Sequence, residues 1–307
     1  MKFATFISGG QEYAGIYHDG YYSFKDLLGG RVSETLTLLE FIRSCESKDL
    51  LEFIEVIPEI ISQNNLKPAA SPTLRPPIPW PFRDIICLGK NYADHAKEMS
   101  ASSANASSAN ASSANASSVP QAPVYFAKTA FPTLGDGDKI PSHSQLTNQL
   151  DYEAELAVII GKTTRYIPTS EVEKIIFGYT ILNDITARDL QAKHGQWFYG
   201  KSLDGACPMG PVIVSRDEIP FPVNLEITSR VNGETRQHSN TSELIFDIPR
   251  IISELSMGMT LYPGDIIATG TPAGVGHAMK PPQYLKPGDK IECEIEKIGI
   301  LTNFIGQ

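Results

Sequence analysis

Cysteine is scarce in this chain. Four of its 307 residues are Cys (Cys45, Cys87, Cys207 and Cys293), widely spaced and with no Cys-x-x-Cys pair. That argues against a disulfide framework or a structural zinc site and leaves buried, reduced thiols as the reading. Positive charge is short as well. Lys and Arg number 26 against 35 Asp and Glu, a net charge of -9, which argues against general nucleic-acid or anionic-membrane binding. No apolar run approaches membrane-spanning length. The start, Met1-Lys2-Phe3-Ala4-Thr5-Phe6, lacks the long apolar core of a signal peptide. A cytoplasmic protein that binds neither nucleic acid nor membrane is the expectation. Thr269-Gly270-Thr271-Pro272-Ala273-Gly274-Val275-Gly276 is glycine-rich. It lacks the Gly-Lys-Ser/Thr ending of a phosphate loop and does not fit Gly-x-Gly-x-x-Gly, so its glycines are read as turn formers near a ligand.

What is present suffices for a large domain and a smaller one: the chain is 41% apolar over its 307 residues. Residues 1–30 alternate short apolar runs with Gly9-Gly10, Asp19-Gly20 and Gly29-Gly30, a pattern of short strands and hairpins. Residues 34–64 carry Leu36, Leu39, Phe41, Ile42, Phe53, Ile54, Ile57, Ile60 and Ile61 at helical spacing. Six prolines between 68 and 82 predict a stiff extended linker, which divides the chain into a small α+β domain, 1–80, and a β-rich domain, 81–307. In the second part Ile85–Leu88 reads as a strand. Residues 171–177 read as a helix capped by Ser170 and Glu173, and 248–257 as a helix capped by Asp247 with Pro249 in its first turn. Residues 101–118 contain only Ala, Ser and Asn, with Ser-Ser-Ala-Asn-Ala recurring from Ser102, Ser107 and Ser112. Nothing there can be buried, so a flexible loop is expected. Perfect repetition found nowhere else suggests an engineered or placeholder stretch; a natural low-complexity insert is the alternative.

The acidic pair Glu153/Glu155 is the most informative feature. It lies in Asp151-Tyr152-Glu153-Ala154-Glu155, which leads into the apolar run 156–160. In a strand, alternate residues share a face about 7 Å apart, so Asp151, Glu153 and Glu155 should point the same way. A single acidic residue there is commonly just part of an exposed polar face. The apolar run that follows predicts burial on both faces, where carboxylates resist desolvation and repel one another unless a cation neutralises them. Asp184 ends a second strand-like run, 179–183. Three carboxylates without nearby His or Cys pairs favour a hard cation such as Mg²⁺ or Mn²⁺. Lys201 could stand beside it, although a surface lysine is the commoner fate. His95 and Glu98 share a face of one helical turn and could serve as general base and orienting carboxylate; spacing alone would equally suit an ordinary exposed pair.

Taken in order, these stretches resemble the fumarylacetoacetate hydrolase family. The resemblance covers residues 83–307. It rests on Gly89-Lys90-Asn91-Tyr92-x-x-His95, Asp151-Tyr152-Glu153-x-Glu155-Leu156, Asn183-Asp184-x-Thr186-Ala187-Arg188-Asp189-x-Gln191, Lys201-Ser202-x-Asp204 and Gly264-Asp265-x-Ile267-x-Thr269-Gly270-Thr271-Pro272. It implies a mixed, β-rich α+β fold: a β-sandwich roll preceded by the small N-terminal domain. It also implies a Mg²⁺ or Mn²⁺ site on Glu153, Glu155 and Asp184, an active-site lysine at Lys201, and a lid dyad of His95 and Glu98. Gln191, Thr271 and Lys128 match substrate-contacting positions, and a homodimer is implied. In the family the lid continues directly after the dyad; here the Ala/Ser/Asn repeat stands in its place. The implied enzyme takes β-dicarbonyl keto acids through a metal-bound enolate and cleaves a C–C bond, by acylpyruvate hydrolysis or oxaloacetate decarboxylation. The alternatives are an isomerase of 2-hydroxy-dienedioates and a non-enzymatic metal-binding scaffold.

Overall fold

The run Ala154–Ile160 is buried along its whole length, as is the strand Ile176–Asn183 beside it. Strands buried on both faces read as continuous apolar sequence, and these two form the middle of the largest sheet. The computed structural model describes residues 1–33, 35–45, 50–104, 119–129 and 131–307. Most of the Ala/Ser/Asn repeat therefore lies outside the described residues.

The large sheet has the strand order Tyr21–Ser23, Gln11–Tyr17, Lys2–Ser8, Met209–Ser215, Ile176–Asn183, Ala154–Ile160, Ile266–Ala268, Ile85–Gly89, Val124–Lys128, with Thr73–Arg75 paired to Lys2–Ser8. Its neighbours are antiparallel except Ile266–Ala268 with Ile85–Gly89, which is parallel. A second sheet runs Glu234–Asn240, Glu226–Val231, Lys290–Ile295, Gly299–Ile305, Lys139–Ile140. Strands Glu226–Val231 and Lys290–Ile295 of this sheet pack on the central strands of the first, and apolar side chains such as Leu156, Val158, Ile227, Cys293 and Ile295 are buried. The fold is mixed α/β and β-rich, as the resemblance implies. No described helix is long and apolar enough to cross a membrane.

The first 80 residues join this framework. Lys2–Ser8 pairs with Met209–Ser215, so the large sheet runs on from the N-terminal strands into the second part. The proline-rich stretch is extended, and part of it, Thr73–Arg75, is a strand. Phe3 packs its ring 4.9 Å from Phe177 of the central strand, while Phe24 stacks on Phe41 at 3.9 Å, contacts that bury aromatic surface from both parts.

Local signals and tertiary pairing agree at most points. Gly9 and Gly10 take left-handed φ values of 59° and 81° between the first two strands, a turn that L side chains resist. Thr37 and Glu40 form a reciprocal capping box on helix Leu38–Ser44, which helix Leu50–Gln63 follows. Asp247 caps Ile248–Gly258 by accepting from the Arg250 N–H. Two expectations differ. Residues 24–28, before Gly29, form a short helix capped by Ser23 rather than hairpin strand. The 171–177 helix is instead a 3₁₀ segment, Thr169–Ile175, with no side-chain cap, and Ile176 and Phe177 begin the central strand. Sheet pairing there outweighs a locally plausible cap.

Candidate active site

Strand Ala154–Ile160 carries Glu155, and Asp184 follows the end of strand Ile176–Asn183. The two strands are hydrogen-bonded neighbours, which sets their acidic ends side by side. Glu153 sits just before its strand. The Asp184 N–H donates to the Glu153 carbonyl at 2.9 Å, and the Asn183 side-chain oxygen accepts from the Glu153 N–H at 3.0 Å. The outcome is a cluster in which oxygens of Glu153, Glu155 and Asp184 all lie within 4.8 Å of one another, every residue buried. Asp151 does not join it. Residues Leu150–Asp151 leave the main strand to pair with Thr186–Ala187, and the Asp151 carboxylate accepts from Arg188 Nε (2.9 Å) and from the N–H groups of Gly276 (2.8 Å) and His277 (3.0 Å).

Two lysines and an arginine face the cluster. Lys201 Nζ lies 2.5 Å from both Glu153 Oε2 and Asp184 Oδ2. Gly200 makes this reach possible. A Cβ there would come 2.6 Å from Gln191 N and 2.7 Å from Ala187 O, so only glycine lets helix Phe198–Lys201 approach helix Arg188–Lys193 so closely. Arg188 Nη2 bonds Glu153 Oε1 at 2.6 Å, while its Nη1 bonds Gln191 Oε1 at 3.2 Å. Burial works against the Lys201 ammonium, but Asp184 and Glu153 together outweigh it and hold its pKa above the usual lysine range. Glu153 is likewise resisted by burial yet held below the usual carboxylate range by Lys201 and Arg188. Glu155 goes the other way: burial, then Asp184 and Glu153, push it well above that range. Among the described residues Glu155 makes no ion pair.

These donors suit a hard divalent cation. All three are carboxylates, with no imidazole or thiol among them. Asp184 Oδ1 accepts no well-directed hydrogen bond although Lys128 Nζ stands 2.8 Å away, and Glu155 is the member most in need of a counter-charge.

The glycine-rich loop supplies the rest of the frame. Gly270 N–H donates to Glu155 Oε2 at 2.8 Å, and Gly274 N–H reaches both carboxylate oxygens of Glu98 at 3.0 and 3.2 Å. With Gly276 and His277 on Asp151, its backbone holds three carboxylates. Gly270 has φ +101°, and a Cβ there would press on Asn91, so glycine is required. Glu98 in turn holds His95 Nδ1 at 2.8 Å. That leaves Nε2 as the ring nitrogen available for proton exchange.

A partly open cavity of about 40 Å³ is lined by Leu88, Gly89, Lys90, His95, Met99, Phe126, Glu153, Glu155, Arg188, Gln191, Trp197, Lys201 and Thr271. Of the residues expected from sequence, His95, Lys201, Gln191, Thr271, Glu153 and Glu155 line it. Glu98 and Asp184 touch members of the lining from behind. Lys128 is placed differently. It is fully buried and absent from the lining, its ammonium directed at Asp184, the Ile185 carbonyl (2.9 Å) and the Lys201 carbonyl. From there it fixes Asp184 and the helix end bearing Lys201. Thr271 donates its hydroxyl to the Ala154 carbonyl at 2.9 Å.

Sequence reasoning had not assigned roles to Arg188, Asn91, Gln237 or Trp197. Arg188 follows directly on Thr186-Ala187 in the stretch Asn183–Asp189 that carries the resemblance, and that was its signal. Asn91 ties Phe246 and Thr269 together, and Gln237 ties Ala154 to Thr271 and Pro272. Gln237 carries no local pattern, and the Gly89-Lys90-Asn91-Tyr92 motif gives no sign of the partners that Asn91 meets.

Comparison with known proteins agrees with this geometry. Residues 84–305 match a family model described as fumarylacetoacetate (FAA) hydrolase C-terminal. The oxaloacetate tautomerase YisK of Bacillus subtilis (strain 168) is 50% identical over 233 residues, 76% of this chain and 73% of that protein. Among solved structures, a fumarylacetoacetate hydrolase from psychrophilic Exiguobacterium antarcticum superposes with TM-score 0.80 at 41% identity, covering 100% of this chain and 99% of that one. Maleylpyruvate hydrolase from Sphingobium sp. SYK-6, in complex with manganese (II) ion and pyruvate, superposes with TM-score 0.72 at 29% identity, covering 100% of both chains.

Proposed function

Because the chain belongs to the fumarylacetoacetate hydrolase family, we propose that it is a divalent-cation-dependent enzyme that forms and protonates enolates of β-dicarbonyl keto acids of the oxaloacetate class. The observation that carries the proposal is the buried cluster of Glu153, Glu155 and Asp184 with the Lys201 ammonium against it. Glu153, Glu155 and Asp184 would hold Mg²⁺ or Mn²⁺, which when bound supplies Lewis-acid charge at a keto oxygen and its neighbouring carboxylate. The manganese in the maleylpyruvate hydrolase relative supports such an ion.

The chain's own groups account for the remaining chemistry. Lys201 is kept charged and points into the cavity, so it stabilises negative charge as it develops on an enolate oxygen. Arg188 fixes Glu153 and Gln191 and lines the same wall. His95, oriented by Glu98, exchanges a proton with the carbon between the two carbonyls, or takes one from water. Protonation of that carbon gives keto–enol tautomerisation, which we place first because the relative at 50% identity bears that name. C–C cleavage, by acylpyruvate hydrolysis or oxaloacetate decarboxylation, is the second reading. The His95–Glu98 dyad favours it, since a pinned base beside the cavity can activate water. A cytoplasmic homodimer, with residues 1–80 as a small N-terminal domain, completes the proposal.

The test is spectroscopic: decay of enol oxaloacetate, an acylpyruvate and a 2-hydroxy-dienedioate, each with and without Mn²⁺. Cation-dependent acceleration of the first is expected. Turnover of the dienedioate alone would favour the isomerase, and no turnover of any substrate would leave a metal-binding scaffold.

A further inference from the structure

We propose that Trp197, seated on Gly89, determines which substrates the site accepts by closing the apolar part of the cavity, where a keto acid's non-reacting end must fit. The proposal rests on the enolate-forming reading above and concerns its selectivity.

A cavity of about 40 Å³ has room for a few waters at about 10–15 Å³ each and falls well short of the roughly 300 Å³ at which small-molecule sites begin. A keto acid enters only if part of the wall yields. The lining residues differ in how they are held. Glu153, Arg188 and Lys201 are locked in buried ion pairs, and His95 is tied through Glu98 to Gly274. Thr271 is bonded to Ala154 and Gln237. Leu88, Gly89 and Phe126 belong to strands of the large sheet. Trp197 stands on the connection between helices Arg188–Lys193 and Phe198–Lys201, where His194, Gly195, Gln196, Phe198 and Tyr199 are exposed. Gly195 is left-handed (φ +68°), with open space around it. Among the described residues the Trp197 indole N–H donates no hydrogen bond.

Two apolar contacts place the Trp197 ring. It meets Phe126 edge-on, with centroids 5.3 Å apart at 74°. It also covers Gly89 so closely that a Cβ there would collide with ring atoms Cζ3 and Cη2. Phe126 in turn lies 5.1 Å beneath the Lys201 ammonium. The ring that bounds the apolar part thus touches the support of the lysine facing the enolate. Gly89 is not left-handed, so alanine there adds no backbone strain. Gly89→Ala should displace the ring while removing no polar group of the site.

Trp80 and Trp197 are the chain's two tryptophans, so Trp80→Phe leaves Trp197 as the sole reporter. In that background, Gly89→Ala should raise acrylamide quenching of Trp197 about twofold or more without ligand, and pyruvate with Mg²⁺ should raise it in the parent. In kinetics, Trp197→Ala and Gly89→Ala should each shift the kcat/KM ratio of a long-chain acylpyruvate over oxaloacetate upward by about tenfold or more, within the range that pocket size commands. An unchanged ratio in both variants overturns the proposal. If the parent turns over neither substrate, the enolate reading fails, and quenching still decides the seat: unchanged accessibility in Gly89→Ala overturns it, and raised accessibility upholds it.

Discussion

Replacing Glu155 by Gln separates the cation site from the fold. The Glu155 carboxyl is 1% exposed and lies within 4.8 Å of oxygens of Glu153 and Asp184. Two unit charges at that distance repel by roughly 3 kcal/mol at an effective dielectric constant of about 20. Ionising Glu155 against two such neighbours without a cation therefore costs about 6 kcal/mol, offset in part by Lys201. The group responds by keeping its proton, its pKa raised by burial and then by Asp184 and Glu153. Gln has the shape and neutrality of that protonated form. Without a cation, Glu155→Gln should unfold within about 1 kcal/mol of the parent. Its Mn²⁺ site, however, has lost one of three charged donors. Mn²⁺ at about 100 times its Kd stabilises the parent by about 2.7 kcal/mol, which raises Tm by roughly 5–10 °C at about 2–4 °C per kcal/mol. A hundredfold loss of affinity cuts that gain, at the same Mn²⁺ concentration, to about 0.4 kcal/mol, or about 1 °C. Scanning calorimetry with and without Mn²⁺, alongside turnover of enol oxaloacetate, reads both quantities. A full Mn²⁺ shift in Glu155→Gln, or undiminished turnover without added cation, refutes the assignment of Glu155 as a ligand.

The same proton makes cation binding pH-dependent. Below the raised pKa of Glu155 each Mn²⁺ bound should release a proton, so affinity rises with pH; calorimetry in two buffers of different ionisation enthalpy measures this, and absence of proton release throughout the acidic range contradicts it. In the cation-free protein the folded state holds that proton more tightly than the unfolded one, so this group makes stability fall as pH rises above the ordinary glutamate range. His95→Ala should lower both tautomerisation of enol oxaloacetate and acylpyruvate hydrolysis, and undiminished tautomerisation would mean that His95 is not the group that exchanges the carbon proton. Lys128→Met leaves Asp184 without one of its buried partners and should cost about 3 kcal/mol in urea unfolding; a loss below about 1 kcal/mol would show that the pair contributes little.

The acidic pair was legible because charge inside an apolar run is a conflict that sequence displays. Glu153, Glu155 and Asp184 do converge, at the ends of two adjacent strands whose apolar runs the sequence displays. The inclusion of Asp151 failed for a reason no period-2 pattern contains: the chain leaves the strand at Tyr152 and Glu153, and Leu150–Asp151 pairs elsewhere. The capping box at Ser170 and Glu173 failed similarly, because the pairing of Ile176–Asn183 with Ala154–Ile160 overrides it. Lys128 matched a family position, yet its burial behind Asp184 is set by the strand Val124–Lys128 and is visible only in three dimensions.

Backbone donors explain why the glycine-rich loop was the least readable part of the site. Motif reading weighs side chains, and Thr269–Gly276 has few that could act. Its contribution is the N–H groups of Gly270, Gly274 and Gly276, each aimed at a different carboxylate: Glu155, Glu98 and Asp151. Gly270 and Gly274 are left-handed, and a Cβ at Gly274 would strike the Arg236 carbonyl, so the spacing of these glycines is a spacing of donors. One loop thereby fixes a carboxylate of the proposed cation site, the carboxylate bonded to His95, and the carboxylate that holds Arg188. A shift of this loop would disturb Glu155, the Glu98 support of His95 and the Asp151 support of Arg188 together, although the loop bears no reactive group.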